Sequence, residues 1–127
     1  MPKNTVIAVV DDDEAVLKAL TSLMKSLGYR IAAFKSAEDF LNSSRRDDTS
    51  CIITDVQMPR MTGLELHGEL VASGKPIPTI LITAYPDDAA RARALRAGVK
   101  GYLTKPFKAE ELLECMRAAL GDEHSPS

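Results

Sequence analysis

The sequence predicts a doubly wound α/β fold, in which helices cover both faces of a parallel β-sheet. Five strand-like segments alternate with five helix-like segments along its 127 residues. Three of the strand-like segments are unbroken apolar runs, as expected where helices cover both faces of a parallel sheet. Right-handed crossovers between successive strands complete this arrangement. A chain of this length buries enough surface for one domain with its own core.

The predicted strands are short runs of β-branched and other apolar residues that polar or turn-forming residues interrupt. The first, third and fourth runs are almost wholly apolar, whereas the second and fifth are weaker. The strands are predicted at Val6–Val10, Tyr29–Phe34, Ser50–Thr54, Thr79–Thr83 and Gly101–Thr104.

The predicted helices follow from apolar residues spaced three and four apart and from residues typical of helix ends. The first helix has Val16, Leu20 and Met24 on one face and ends at Gly28. Ser36 is an N-cap candidate for a short second helix with acidic residues in its first turn. The remaining helices are predicted at Leu64–Ala72, Asp87–Ala97 and Ala109–Leu120.

Composition and charge exclude several classes of protein. Lys plus Arg is 16 and Asp plus Glu is 18, which gives a formal net charge of −2 and argues against nucleic-acid binding by this segment alone. No run approaches the ~20 apolar residues that span a bilayer, and the first apolar run ends too early for a signal peptide. We therefore expect a cytoplasmic protein with no membrane segment.

The two cysteines and two histidines show no metal-ligand spacing. Cys51 and Cys115 lie in apolar surroundings and are predicted to be small buried hydrophobic residues. His67 is predicted on the surface of the third helix, with no catalytic role.

Charged and hydroxyl side chains follow four of the five predicted strands. The first strand leads into Asp11–Glu14, the third into Asp55, the fourth ends in Thr83 and the fifth in Thr104–Lys105. The carboxyl ends of parallel strands lie at one edge of the sheet, where ligands bind in such folds. A cluster of carboxylates is costly unless a cation joins it. The pattern thus predicts a hard divalent ion, for which Mg²⁺ is the candidate, and phosphoryl chemistry on a carboxylate.

These strand ends resemble the receiver domain of bacterial two-component response regulators. The spacing of the key residues agrees with this family. Asp55 lies 43 residues after Asp12, Thr83 lies 28 residues after Asp55, and Lys105 lies 22 residues after Thr83. The resemblance covers about residues 5–120, and residues 121–127 are expected to be a polar tail or the start of a linker. It implies a flavodoxin-like (βα)5 sandwich with strand order 2-1-3-4-5. The motifs are Val9–Asp12, Thr54–Pro59 with Met61–Gly63, Ile82–Ala84 and Lys105–Phe107.

The resemblance implies a set of roles at the strand ends. Asp55 would accept a phosphoryl group, with Lys105 and Thr83 contacting its oxygens. Mg²⁺, for which Mn²⁺ is able to substitute, would be held by Asp12, Asp55 and the backbone carbonyl of Gln57. Asp11 would act on the ion directly or through water, whereas Asp13 has an alternative role as a helix cap or first-turn charge.

Further residues are assigned by the same resemblance. Thr83 and Tyr102 would form a switch that alters the face made by helix 4, strand 5 and helix 5. Gln57, Ala84 and Tyr85 would control access to the phosphoryl site. The Lys105–Pro106 peptide bond would be cis and would direct the lysine into the pocket.

Partners are likewise implied by the family. A sensor histidine kinase would supply the phosphoryl group, and phosphorylation would favour a homodimer. Two stretches, Ser36–Leu41 and Gly63–Leu66, are similar to the subgroup that carries a LuxR-type DNA-binding domain after the receiver. DNA would then be bound only through that C-terminal output domain. Such a protein is not an enzyme beyond catalysing its own phosphorylation and dephosphorylation.

Three other functions remain open from the residues themselves. Asp11–Asp13 contains the Asp-x-Asp of a Mg²⁺-dependent aspartyl phosphatase, but Ala15 stands where that class has Thr or Val. A flavin- or nucleotide-binding protein of the same architecture would need a glycine-rich loop after the first strand. A stand-alone receiver would act through protein contacts, with or without phosphorylation.

Overall fold

Five parallel strands form one sheet in the order β2-β1-β3-β4-β5, which confirms the predicted topology. The structure, a computed structural model, describes residues 5–121. The predicted tail or linker start at 121–127 lies, except for Gly121, outside the described residues. The strands are β1 (Val6–Val10), β2 (Arg30–Phe34), β3 (Thr49–Asp55), β4 (Thr79–Thr83) and β5 (Gly101–Thr104).

Five α-helices connect or follow these strands. A single turn of 3₁₀ helix at Arg46–Asp48, which the sequence did not predict, precedes β3. The other boundaries differ from the predictions by only a few residues at most. The helices are α1 (Glu14–Ser26), α2 (Ala37–Leu41), α3 (Gly63–Ala72), α4 (Asp88–Arg96) and α5 (Ala109–Leu120).

The residues of β1 alternate between two separate cores, because successive side chains of a strand point to opposite faces. Ile7 and Val9 pack in a cluster with residues of α1 and α5, including Met24 and Met116. Ala8 and Val10 pack in the cluster on the opposite face with residues of α2 and α3. The central strand is therefore buried on both sides, which explains its uninterrupted apolar sequence.

The strands are in a register that brings their carboxyl ends together. Val10 pairs with Thr54, and Asp55 pairs with Ile82 on β4. Thr83 in turn pairs with Thr104 on β5. The polar residues that end or follow these strands therefore lie along one edge of the sheet.

Polar side chains cap four of the helices at that edge. The Asp13 side chain accepts hydrogen bonds from the N–H groups of Ala15 and Val16, at 2.9 and 3.4 Å. Ser36 caps α2 as predicted, and Thr62 forms a reciprocal capping box with Glu65. Such caps satisfy backbone donors that the first turn of a helix leaves unpaired.

The surface prediction for His67 is wrong. The residue is 5% exposed, and burial lowers the pKa of its imidazole. Its position explains this placement, since the buried residues of α3 are Gly63, Leu66, His67 and Leu70. They follow the i, i+3, i+4, i+7 pattern of a helix face that packs on a core.

The two cysteines differ in burial. Cys51 is fully buried on β3, and burial raises the pKa of its thiol to about 12. Cys115 on α5 is only half-buried, so the prediction of a buried cysteine is correct for Cys51 alone. In residues 5–121, no helix has the length and apolar character needed to cross a membrane.

Candidate functional site

Three carboxylates come together at the carboxyl edge of the sheet. Asp11 and Asp12 directly follow β1, and Asp55 ends β3. One oxygen atom from each side chain lies within 4.8 Å of the other two. Asp11 and Asp55 are buried, whereas Asp12 is exposed. The cluster therefore has two carboxylates on its buried side and one carboxylate that faces solvent.

Lys105 reaches this cluster from the end of β5. Its Nζ lies 3.4 Å from Oδ2 of Asp11 and 3.4 Å from Oδ1 of Asp55. The Lys105 N–H donates to the Thr83 carbonyl at 2.8 Å, which continues the pairing of β5 with β4 beyond the strand. The Lys105–Pro106 peptide bond is cis.

Burial and like charge set the electrostatics of the cluster. Burial raises the pKa of Asp55, and the neighbouring Asp11 carboxylate raises it further, against the opposing effect of Lys105. Burial also raises the pKa of Asp11. Burial opposes the charge on Lys105, but the Asp11 and Asp55 carboxylates outweigh it and raise the pKa of the ammonium group. The lysine thus remains fully charged at neutral pH.

The donor set fits a hard divalent cation. Three carboxylates and one ammonium leave the ionised cluster with an excess of negative charge. Carboxylate and carbonyl oxygens are the ligands that Mg²⁺ prefers, and this ion keeps several waters. The exposed Asp12 leaves one side of the cluster open to such waters. Asp11, Asp12 and Asp55 are therefore the residues of the described chain suited to hold Mg²⁺.

Asp13 does not belong to the cluster. Its side chain caps α1, and its own N–H donates to Oδ1 of Asp11 at 2.8 Å. This hydrogen bond fixes one oxygen of Asp11 while Lys105 contacts the other. Asp13 therefore serves the site through the backbone and through the start of α1.

The Thr83 hydroxyl is hydrogen-bonded on both sides. It donates to Oε1 of Gln57 at 2.9 Å and accepts from the N–H of Tyr85 at 2.9 Å. Thr83 itself is buried, whereas Gln57 is exposed. The family resemblance implied a role for Gln57 only through its backbone carbonyl and through access to the phosphoryl site, and the sequence carries no signal of this side-chain bond.

The other residues predicted around the site differ in burial. Ala84 is exposed, and Tyr85 is an exposed aromatic residue at 71%. Tyr102 is half-buried on the edge strand β5 and packs against a cluster that contains Leu81 and Ala94. Burial and the nearby Asp87 raise the pKa of the Tyr102 phenol.

Gly63 holds the start of α3 directly against Asp55. A Cβ atom at this position would collide with the backbone oxygen of Asp55 and would also crowd Leu81 and Thr54. The Gly63 N–H donates to the Val56 carbonyl at 3.0 Å. In the sequence Gly63 stands out only as part of a motif, although a glycine shortly after β3 is itself a signal of a close backbone approach.

Arg60 has an unusual backbone conformation in the loop between β3 and α3. Its φ is 70°, a left-handed value that is uncommon for residues other than glycine. The Met61 N–H donates to the Pro59 carbonyl at 2.8 Å across it, which makes a tight three-residue turn. Its guanidinium Nε lies 3.4 Å from Glu38 of α2.

The fold and its acidic, lysine-containing edge define a class of signalling domain. The chain belongs to the family described as the response regulator receiver domain, whose model matches residues 7–117. It is accordingly a receiver domain of the two-component type.

Individual relatives and structures agree with this family. The chain is 45% identical over 116 residues to the response regulator protein TodT of Pseudomonas putida. The aligned region covers 91% of this chain and 51% of TodT. It matches the crystal structure of FixJ-N with a TM-score of 0.82 and 31% identity, over 97% of each chain. It matches the BeF3-activated DrrB receiver domain with a TM-score of 0.80 and 33% identity, over 91% of this chain and 97% of that one.

The chain spans about half the length of the full-length relatives that it matches. Family membership favours the receiver over the phosphatase and the flavin- or nucleotide-binding alternatives, because the match extends across all four strand-end motifs.

Proposed function

We propose that Asp55 accepts a phosphoryl group from the phosphohistidine of a sensor histidine kinase in the cytoplasm. The observation that carries this proposal is the position of the Asp55 carboxylate. It lies in the acidic cluster and, at the same time, 3.4 Å from the ammonium group of Lys105. A carboxylate in this setting has a cation binding site on one side and a fixed positive charge on the other.

The transfer uses the carboxylate as nucleophile. An Asp55 oxygen forms the new P–O bond while the P–N bond of the phosphohistidine breaks, and its electron pair remains on the imidazole. No general base is required, because an ionised carboxylate has no proton to lose before it attacks. Lys105 then contacts a phosphoryl oxygen and offsets the charge that develops on it.

Mg²⁺ is the metal that we propose for the cluster, and Mn²⁺ is able to substitute. When bound, the ion neutralises charge on the transferred group. Asp12 and Asp55 would ligate it directly, with the Gln57 backbone carbonyl as a further ligand. Asp11 would act on the ion directly or through water. Its Oδ2 also contacts the Lys105 ammonium group and holds the lysine in place.

The response of the domain involves Thr83 and Tyr102. After transfer, the Thr83 hydroxyl would bond to a phosphoryl oxygen, and Tyr102 would move toward the space that Thr83 vacates. Tyr102 packs beside α4 on the edge strand, so its movement would change the face formed by α4, β5 and α5. Ala84, Tyr85 and Gln57 surround the opening through which water would reach the phosphoryl group.

The proposed receiver comprises residues 5–120. Its output would be transcriptional, through a C-terminal LuxR-type DNA-binding domain, with homodimerisation on phosphorylation. Names of relatives support this output, since the matches include the transcriptional regulatory protein FixJ of Azorhizobium caulinodans. Catalysis by this domain would be confined to its own phosphorylation and dephosphorylation.

Intact-protein mass after incubation with acetyl phosphate tests the proposal. We expect one Mg²⁺-dependent phosphoryl adduct on the natural protein and none on Asp55→Asn. Asp48→Asn is the matched control, because Asp48 is an exposed carboxylate before β3, at the opposite edge of the sheet, and it should be labelled normally. Equal labelling of Asp55→Asn and Asp48→Asn would overturn the assignment of Asp55.

A further inference from the structure

The hydrogen bonds of Thr83 leave its hydroxyl without a free proton. A threonine hydroxyl has one proton to donate, and here the acceptor at 2.9 Å is Oε1 of Gln57. The Tyr85 N–H occupies an acceptor site of the same hydroxyl. The Tyr85 carbonyl, at 3.3 Å, is a second and longer acceptor for the same proton. The hydroxyl therefore has to give up its shorter bond with Gln57, together with this longer contact, before it donates to an oxygen elsewhere.

Gln57 and Thr83 belong to two segments that neighbour Asp55. Gln57 is two residues beyond Asp55. Asp55 pairs with Ile82, so Thr83 is the next residue along the neighbouring strand. The Gln57–Thr83 bond thus crosses from the loop after β3 to the end of β4, beside the carboxylate that would be phosphorylated.

We propose that Gln57 is a positioning residue that holds the Thr83 hydroxyl in the unphosphorylated state and opposes the switch. This inference rests on the proposed function of Asp55 and concerns the regulation of the same site. The Gln57 amide oxygen accepts the hydrogen bond from the Thr83 hydroxyl that a phosphoryl oxygen would otherwise accept. Removal of that amide should make the acquisition of a phosphoryl group more favourable, with no new contact to the group.

The expected size follows from the net value of one hydrogen bond. Loss of a typical intramolecular hydrogen bond changes an equilibrium by roughly fivefold. Gln57→Met removes the acceptor but keeps the length and approximate volume of the side chain. It also keeps the backbone carbonyl, so a metal ligand at that atom is retained. Gln57 is exposed, and this substitution leaves the core intact.

Calorimetric titration with beryllofluoride at saturating Mg²⁺ tests the inference, because this anion is a stable mimic of the phosphoryl group. We expect Gln57→Met to bind beryllofluoride about fivefold more tightly than the natural protein. The gain should persist in a Thr83→Ser background, which retains a hydroxyl. It should disappear in a Thr83→Val background, which has none.

The double-mutant comparison separates this effect from altered access to the site. An equal gain in the Thr83→Val background would overturn the inference, since the effect would not pass through the hydroxyl. Unchanged or weaker binding by Gln57→Met would also overturn it, as would an altered affinity for Mg²⁺ alone. If the natural protein bound no beryllofluoride, the proposed function of Asp55 would fail, and the role of Gln57 with it.

Discussion

The ammonium group of Lys105 lies 3.4 Å from Oδ1 of Asp55, although Asp55 ends β3 and Lys105 follows β5, with β4 between these strands. The parallel register of the sheet brings them together, since both residues lie at carboxyl ends of strands. Asp55 and Lys105 are each substantially buried, with 10% and 22% of their side chains exposed. The pair accordingly places a carboxylate and a positive charge in a partly water-excluded pocket.

Addition of Mg²⁺ should stabilise the domain. An ion that binds only the folded state at ten times its Kd raises the free energy of unfolding by about 1.4 kcal/mol. Asp12→Asn should weaken this response, because Asp12 is one of the clustered carboxylates. Urea unfolding with and without Mg²⁺ measures the difference.

Asp13→Asn is the matched control for that experiment. Asparagine is as good an N-cap as aspartate, so α1 should keep its cap and the Mg²⁺ response should remain. An equal response in Asp12→Asn and the natural protein would contradict the proposed metal site.

Gly63→Ala should destabilise the domain by about 1–3 kcal/mol, the usual cost of overpacking a well-packed position. The added methyl would collide with the backbone oxygen of Asp55, which lacks the freedom of a side-chain end. Phosphorylation at Asp55 should be impaired as well. Thermal unfolding and the acetyl phosphate reaction report these two effects.

Gly68→Ala in the same helix provides the contrast. Nothing lies within 4 Å of a Cβ at Gly68, and alanine is about 1 kcal/mol better than glycine inside a helix. This variant should therefore be more stable than the natural protein. Similar losses in both variants would show that the close approach of Gly63 to Asp55 is unimportant.

Arg60→Gly should be more stable than Arg60→Ala by about 1 kcal/mol, because left-handed backbone costs a residue with a Cβ roughly that amount. The φ of 70° at Arg60 is the basis of this expectation. Both variants lose the exposed ion pair with Glu38, which is worth little in solvent. Chemical denaturation of the two variants measures the difference in their free energies of unfolding. Greater stability of Arg60→Ala would refute a left-handed conformation at residue 60.

Stability should fall as the pH drops below about 6.5, the usual pKa of an exposed histidine. Burial holds the pKa of His67 lower in the folded state, so the unfolded chain binds the proton first and gains free energy from it. The loss levels off below the folded pKa. The raised pKa values of Asp11 and Asp55 act in the opposite sense at lower pH.

His67→Leu isolates this contribution. The difference in unfolding free energy between the natural protein and His67→Leu should change between pH 7 and the lowered folded pKa. A difference that stays constant over this range would mean that His67 titrates normally in the folded state.

Much of the fold was predictable because each local pattern agrees with the global architecture. The apolar runs of β1, β3 and β4 indicate a covered parallel sheet, and its geometry gathers Asp11, Asp55 and Lys105 at one edge. That edge is the site in the structure. Backbone topology therefore carries the arrangement of the main charged groups.

The remaining features depend on side-chain packing that a sequence pattern does not fix. The Gln57–Thr83 bond depends on a side-chain conformation and on the distance between two loops. The left-handed Arg60 lies in a tight turn, and its residue type does not indicate such a turn. His67 is different, because its burial could have been predicted. It shares the helix face of Leu66 and Leu70, and the surface prediction relied on the polarity of histidine alone.

Locating the phosphoryl group on the chain decides whether Asp55 is the residue that accepts it. Borohydride reduces an acyl phosphate to the alcohol, so peptide mass spectrometry after acetyl phosphate, Mg²⁺ and borohydride identifies the modified residue. We expect reduction at Asp55 alone, and only when Mg²⁺ is present. Reduction at Asp11 or Asp12 instead would contradict it, because the nucleophile would then be a different carboxylate of the cluster.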